Sequence, residues 1–201
     1  GFGCVGASCV NSLNNMGYKV VGIADVNGLL YCKDGLNIKK LVETRLPKGV
    51  LNKDAFEPNY QVLPNSEWIS QECDILIPAA LEDVINATNA DKIKASLLVE
   101  AANIPTTPEA DEILRKNGVD VAVDFISNLG GIRIYEAVIF RLVKIENMND
   151  ADAAAAIVKD TVDLIRKQTR LVFEESKKTG EFTRDVARRL FTPDKSDTPD
   201  M

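Results

Sequence analysis

The first six residues, Gly1-Phe2-Gly3-Cys4-Val5-Gly6, have the spacing GxGxxG, which suits a backbone that wraps around a pyrophosphate. The first glycine permits a tight turn, the second lets backbone N–H groups approach phosphate oxygens, and the third lets a helix pack closely on a strand. A helical stretch through Met16, an apolar strand over Lys19–Ala24 and an acid at Asp25 follow in the order this chemistry requires. Asp25 lies 19 residues beyond Gly6, placed to accept hydrogen bonds from an adenosine ribose. Its charge would repel a 2′-phosphate, and Val26-Asn27-Gly28 offers no cation to hold one. NAD is therefore favoured, and NADP stays open.

Three further segments end predicted strands with groups that can border a flat ligand. Asp74-Ile75-Leu76-Ile77 leads into Pro78-Ala79-Ala80-Leu81, where small side chains leave the backbone accessible. Val99-Glu100-Ala101-Ala102 leads to Asn103, whose amide can meet a ribose hydroxyl or a carboxamide. Asn128-Leu129-Gly130-Gly131 follows the run Val119–Val123 and opens a helix. In an open α/β sheet these strand ends converge on one crevice.

Other chemistries are excluded or disfavoured. The chain has no histidine, so imidazole acid/base catalysis and His-ligated metal are absent from it, and no metal site is predicted. With 24 basic against 30 acidic residues the net charge is −6, which argues against a nucleic-acid partner. No apolar run is long enough to span a bilayer, so no membrane partner is expected. Cys4, Cys9, Cys32 and Cys73 lack CxxC spacing, and no signal-peptide pattern is visible. A reduced, cytoplasmic setting without disulfides is the simpler reading.

The elements that must position these residues alternate. Short β-branched runs without strict alternation suggest strands covered on both faces, hence a Rossmann-like, doubly wound, largely parallel α/β sheet. The best-marked helix begins at Thr107, with Pro108 in its first turn and Glu109 and Asp111 near its positive end, and it stops before Asn117-Gly118. Long helices are predicted over 130–144 and 151–178, then a short one over 183–191. The stripe Val158, Val162, Ile165, Thr169, Val172 should pack on the sheet layer, or else pair with another helix. Residues 1–150 thus form a dinucleotide-binding domain, 151–191 C-terminal helices packing on it, and 192–201 a polar tail. In this fold the glycine loop follows the central first strand, so that strand is expected upstream of Gly1.

Together the segments Gly1–Gly6, Gly22-Ile23-Ala24-Asp25 with Gly28, Pro78–Glu82, Glu100–Ala110 and Asn128–Gly131 resemble the cofactor domain of glutamate dehydrogenases, within the glutamate/leucine/phenylalanine/valine dehydrogenase superfamily. The PAAL and ANxPTTPEA segments are the most specific and favour the glutamate branch. The resemblance implies reversible oxidative deamination of an amino acid to a 2-oxo acid and ammonia, with hydride passing to the nicotinamide. It also implies an upstream substrate domain of the same polypeptide holding the catalytic lysine and aspartate, and a homo-oligomer, a hexamer by family. No catalytic residue is then expected in this chain. By position, Gly1, Phe2, Gly3, Cys4, Val5 and Gly6 would cradle the pyrophosphate, Asp25 the adenosine ribose, and Ala79, Ala80 and Asn103 the nicotinamide half. Asn128 would sit between nicotinamide and substrate.

The sequence departs from the family pattern at three places. Ile104 and Leu129 add bulk where glycine and alanine are usual, and Ile132 and Tyr135 stand where a small apolar residue and a carboxylate-binding serine are usual. Asn128, Ile132, Tyr135 and Ile139, spaced by four, three and four, share one helix face. Tyr135 then enters the substrate pocket and disfavours glutamate, unless the register is shifted by one residue or Tyr135 packs in the core. Arg133, about 100° around from Ile132, is expected to face solvent rather than serve as a replacement carboxylate partner. These departures leave two other readings open, a non-catalytic or regulatory nucleotide-binding paralogue and, on the glycine loop and Asp25 alone, a different enzyme of the same fold.

Overall fold

The computed structural model describes residues 1–139 and 151–192, which divide between two compact units, Gly1–Val119 and Asp120–Met201. In the first unit α1 (Cys4–Asn15) follows the glycine loop and ends at Gly17, whose φ of 83° suits the left-handed helix terminus. Then come β1 (Gly22–Asp25), β2 (Gly28–Tyr31), α2 (Ile38–Glu43), β3 (Gln61–Leu63), β4 (Ile75–Leu76), β5 (Leu97–Val99) and α3 (Pro108–Lys116).

The parallel pair is β4 with β5, in register Ile75 to Leu97 and Leu76 to Leu98. The antiparallel meander β1-β2-β3 is an addition that strand-by-strand reading passed over. Its first turn is short because Asp25 Oδ1 accepts from the Asn27 and Gly28 amides at 2.7 and 3.2 Å. Gly28 is obligatory, since its φ is 154° and a Cβ there would lie 2.7 Å from the Leu63 carbonyl oxygen. The meander buries Ile23 and Leu30 with Phe2, Ile38, Leu41 and Leu51 in one apolar cluster.

β1 and β4 are both terminal strands of their sheets, and both line one groove of about 600 Å³. Gly1, and Gly6, Val10 and Leu13 of α1, line it too. Among the described residues no strand pairs with the outer edge of β1 or β4, a costly arrangement when apolar side chains flank it.

α3 takes the predicted form. Thr107 Oγ1 accepts from the Ala110 amide at 3.3 Å, Pro108 opens the first turn, and the chain leaves through Gly118 at φ 69°.

The second unit contains β6 (Asp120–Ala122), α4 (Asp124–Ser127), α5 (Gly130–Ile139), α6 (Ala151–Thr179) and α7 (Thr183–Phe191). Thr183 Oγ1 accepts from the Val121 amide at 2.9 Å, tying the start of α7 to β6. α6 packs against α4, α5 and α7, by the later part of the predicted stripe and not by its start. Val158 and Val162 are exposed, Ile165 and Thr169 are half-buried, and Val172 is buried. At the start of that stripe the covered residues are Ile157 and Thr161, about one residue or 100° away, while further on Leu164 and Gln168 are half-buried beside Ile165 and Thr169. Thr161 obscured that shift, since its hydroxyl is satisfied on the Ile157 carbonyl at 2.8 Å. The predicted helix extension to Lys144 and the tail beyond Thr192 lie outside the described residues.

Candidate functional site

The three glycines of the loop do different work. A Cβ on Gly1 would meet Ala80 Cβ at 2.8 Å and the Ala79 oxygen at 3.0 Å, and one on Gly6 would fall 1.9 Å from the Gly1 oxygen. Gly3 has nothing within 4 Å of that position. The loop is therefore pressed against Ala79 and Ala80 while the Gly3 side stays open. Phe2 contributes backbone only, since its side chain is 1% exposed in the core. Gly3 is also the N-cap of α1, with no side-chain cap and no acid in the first turn, so Cys4, Val5 and Gly6 present first-turn amides at the positive helix end. Anions bind at such an end.

Two of the three predicted strand ends meet in the first unit. The Pro78 carbonyl accepts from the Ala101 and Ala102 amides, both at 3.0 Å, which joins the Pro78–Ala80 segment to Ala101–Asn103. Asn103 is exposed just beyond this junction. Its neighbour Ile104 has φ 46° and is 63% exposed, while its carbonyl accepts from the Asp83 amide at 3.0 Å. A β-branched residue in left-handed backbone costs roughly 1–2 kcal/mol. Ile104→Gly is expected to stabilise the fold by about 1 kcal/mol, read as a higher urea midpoint at unchanged m-value. An equal or lower midpoint would contradict the strain.

Asp25 is 8% exposed, and both of its carboxylate oxygens are engaged: Oδ2 accepts from the Leu51 amide at 2.8 Å, beside the two bonds to Oδ1. Sequence reasoning missed the groups that Leu51 brings with it. Arg45 Nη1 donates to the Phe2 carbonyl at 3.3 Å, and Gly49 lies so close to the Phe2–Gly3 peptide that a Cβ would be 2.7 Å from both Phe2 O and Gly3 N. The only local signal was Pro47-Lys48-Gly49, an ordinary turn sequence.

Asn128, Ile132 and Tyr135 belong to the second unit. The Asn128 amide donates to the Asp124 carbonyl at 2.8 Å, closing α4, and its side chain is half-buried. Ile132 and Tyr135 project from α5 with 68% and 67% exposure, so Tyr135 is not in that unit's core. Arg133 does not face solvent freely. It bonds Glu136 and Asp160 at 2.6 Å each, and those bonds, the one to Asp160 foremost, raise its pKa and tie α5 to α6. Its charge is already matched, which removes it as a spare carboxylate partner.

All four cysteines are free, and burial raises the thiol pKa of Cys9 and Cys73. Among the described residues no helix is long and apolar enough to cross a membrane, and no cluster of His, Cys, Asp or Glu could hold a metal ion.

A glycine loop capping a helix beside the ends of parallel strands defines an α/β protein of the dinucleotide-fold class. The chain belongs to the Glutamate/Leucine/Phenylalanine/Valine dehydrogenase family, whose model matches residues 1–178. It is 43% identical over 133 residues to an NADP-specific glutamate dehydrogenase of Saccharolobus shibatae, covering 66% of this chain and 30% of that one. It is 40% identical over 134 residues to a catabolic NAD-specific glutamate dehydrogenase of Bacillus subtilis, covering 67% and 31%. The chain thus spans just under a third of the length of these curated relatives. In fold it is similar to a hetero-hexameric glutamate dehydrogenase from Thermus thermophilus solved with leucine bound, at TM-score 0.71 and 24% identity over 94% of this chain and 43% of that one.

Proposed function

We propose that this chain is the nicotinamide-cofactor part of a glutamate-dehydrogenase-like enzyme that interconverts an L-amino acid with a 2-oxo acid and ammonia. The observation that carries the reading is the glycine loop seated on Ala79 and Ala80 with its Gly3 side open and the α1 amides uncapped. The residues present fit a dinucleotide, with NAD the first candidate and NADP the second. In this reading the amides of Gly1–Gly6 hold the pyrophosphate, Asp25 faces the adenosine ribose, and Ala79, Ala80 and Asn103 border the nicotinamide. Asn128, Ile132 and Tyr135 face the substrate. When bound, the nicotinamide supplies hydride acceptance and donation.

Residues 1–150 would form the cofactor domain, with 151–191 as helices on it and 192–201 as a tail. The catalytic lysine and aspartate would come from an upstream substrate domain of the same polypeptide. The groove between β1 and β4 supports continuation upstream, since an extended segment ending at Gly1 would fill it. The complete protein is a homo-oligomer, a hexamer by family, and its free thiols suit the reducing cytoplasm.

The test is NADH oxidation by the complete polypeptide with ammonia and a panel of 2-oxo acids. Ammonia-dependent turnover of at least one acid is expected, with 2-oxoglutarate disfavoured by Tyr135. Tyr135→Ser should then raise kcat/KM for 2-oxoglutarate by about tenfold, because the hydroxyl moves from the tip of a ring to a short side chain beside the helix and volume is freed. An unchanged value would remove Tyr135 from the substrate pocket. The second reading, a non-catalytic nucleotide-binding paralogue, rests on exposed, left-handed Ile104 beside the nicotinamide position. It gains if NADH binds and the whole panel is silent.

A further inference from the structure

We infer that Asp25 is a positioning residue that shapes the glycine loop through the turn Leu46–Leu51, and does not act chiefly as a charge selecting against a 2′-phosphate. The inference rests on the proposed role of that loop in holding a dinucleotide. A carboxylate offers about four acceptor sites, and Asp25 commits three of them to the amides of Asn27, Gly28 and Leu51. The first two close the β1–β2 turn. The third reaches 26 residues along the chain and fixes the end of the second turn.

That second turn is tightly bent. The Leu46 amide donates to the Val50 carbonyl at 3.0 Å, and the residues between include two in left-handed backbone, Lys48 at φ 63° and Gly49 at φ 76°. The bend sets Gly49 flat on the Phe2–Gly3 peptide, with no room for a Cβ, while Arg45 at the near end donates to the Phe2 carbonyl. Phe2 and Leu51 share the apolar cluster below, 1% and 5% exposed. The turn thus grips the glycine loop at Arg45 and Gly49, is anchored by Asp25 at Leu51, and leaves the Gly3 side open.

Releasing any of the three grips should loosen the cradle for every dinucleotide, with or without a 2′-phosphate. Asp25→Asn puts an NH2 donor among three N–H donors, so the Leu51 amide loses its acceptor or the turn amides lose theirs. Gly49→Ala lifts the turn by steric overlap, and Arg45→Ala removes the bond to Phe2 while leaving Asp25 intact.

The experiment measures NADH and NADPH dissociation constants of the complete polypeptide by fluorescence titration, together with hydrogen exchange of the Leu51 amide. Asp25→Asn and Gly49→Ala are each expected to weaken both nucleotides by about tenfold, with their ratio unchanged. The double variant should be no weaker than the worse single, since both break one device. Leu51 exchange should accelerate in Asp25→Asn even without nucleotide. If Asp25→Asn is too unstable to titrate, Arg45→Ala carries the same equal-factor expectation. Tighter NADPH binding in Asp25→Asn with NADH untouched, or losses that multiply in the double variant, would overturn the inference. Absence of binding to either nucleotide by the unmodified protein would overturn the proposed function instead.

Discussion

Gly6→Ala is expected to abolish measurable NADH binding and to destabilise the fold by about 3 kcal/mol. The new Cβ would lie 1.9 Å from the Gly1 oxygen and 2.9 Å from the Gly1 carbonyl carbon, both backbone atoms that no side-chain rotation can move. Either α1 withdraws or the loop unwinds from Ala79 and Ala80. Gly3→Ala is the matched control, because a Cβ there meets nothing within 4 Å. It should cost about 1 kcal/mol, through the poorer N-cap, yet still weaken NADH, since its methyl would enter the space proposed for the pyrophosphate. Urea unfolding and NADH titration of the two variants separate packing from access. Equal stability loss in both would contradict the assignment of roles to the glycines.

The second large effect concerns the groove between β1 and β4. An extended segment ending at Gly1 would run parallel to β1, because a strand, the α1 crossover and β1 make a right-handed βαβ unit. Filling the groove would pair two open strand edges, and at about 1 kcal/mol per bond a ladder on both sides contributes roughly 5 kcal/mol. That is comparable with the whole stability of a small domain. The 201-residue chain alone should therefore unfold early and with poor cooperativity, while the same chain with a strand-forming segment joined ahead of Gly1 should unfold cooperatively. Cooperative unfolding of the 201 residues alone at high temperature would contradict the proposed strand.

What was legible in the sequence was local or repeated in a known order. Thr107, Pro108 and Asn117-Gly118 mark the ends of α3 through bonds within one turn. The glycine spacing announced a loop whose first and third glycines proved to be crowded. Long-range arrangements were less visible. Asp25 invited a ribose partner by position, but nothing nearby in sequence says that Leu51 completes its hydrogen bonding. Gly49 reads as a turn residue until the Phe2–Gly3 peptide is placed beneath it. The start of the covered face of α6 differs from the expectation because Thr161 lies on it, where apolar periodicity alone pointed to Val158 and Val162.

The most direct test of the central claim is a fluorescence titration of the complete polypeptide with NADH. Saturable binding that Gly6→Ala abolishes is the predicted result, and a flat titration with the unmodified, folded protein would contradict it.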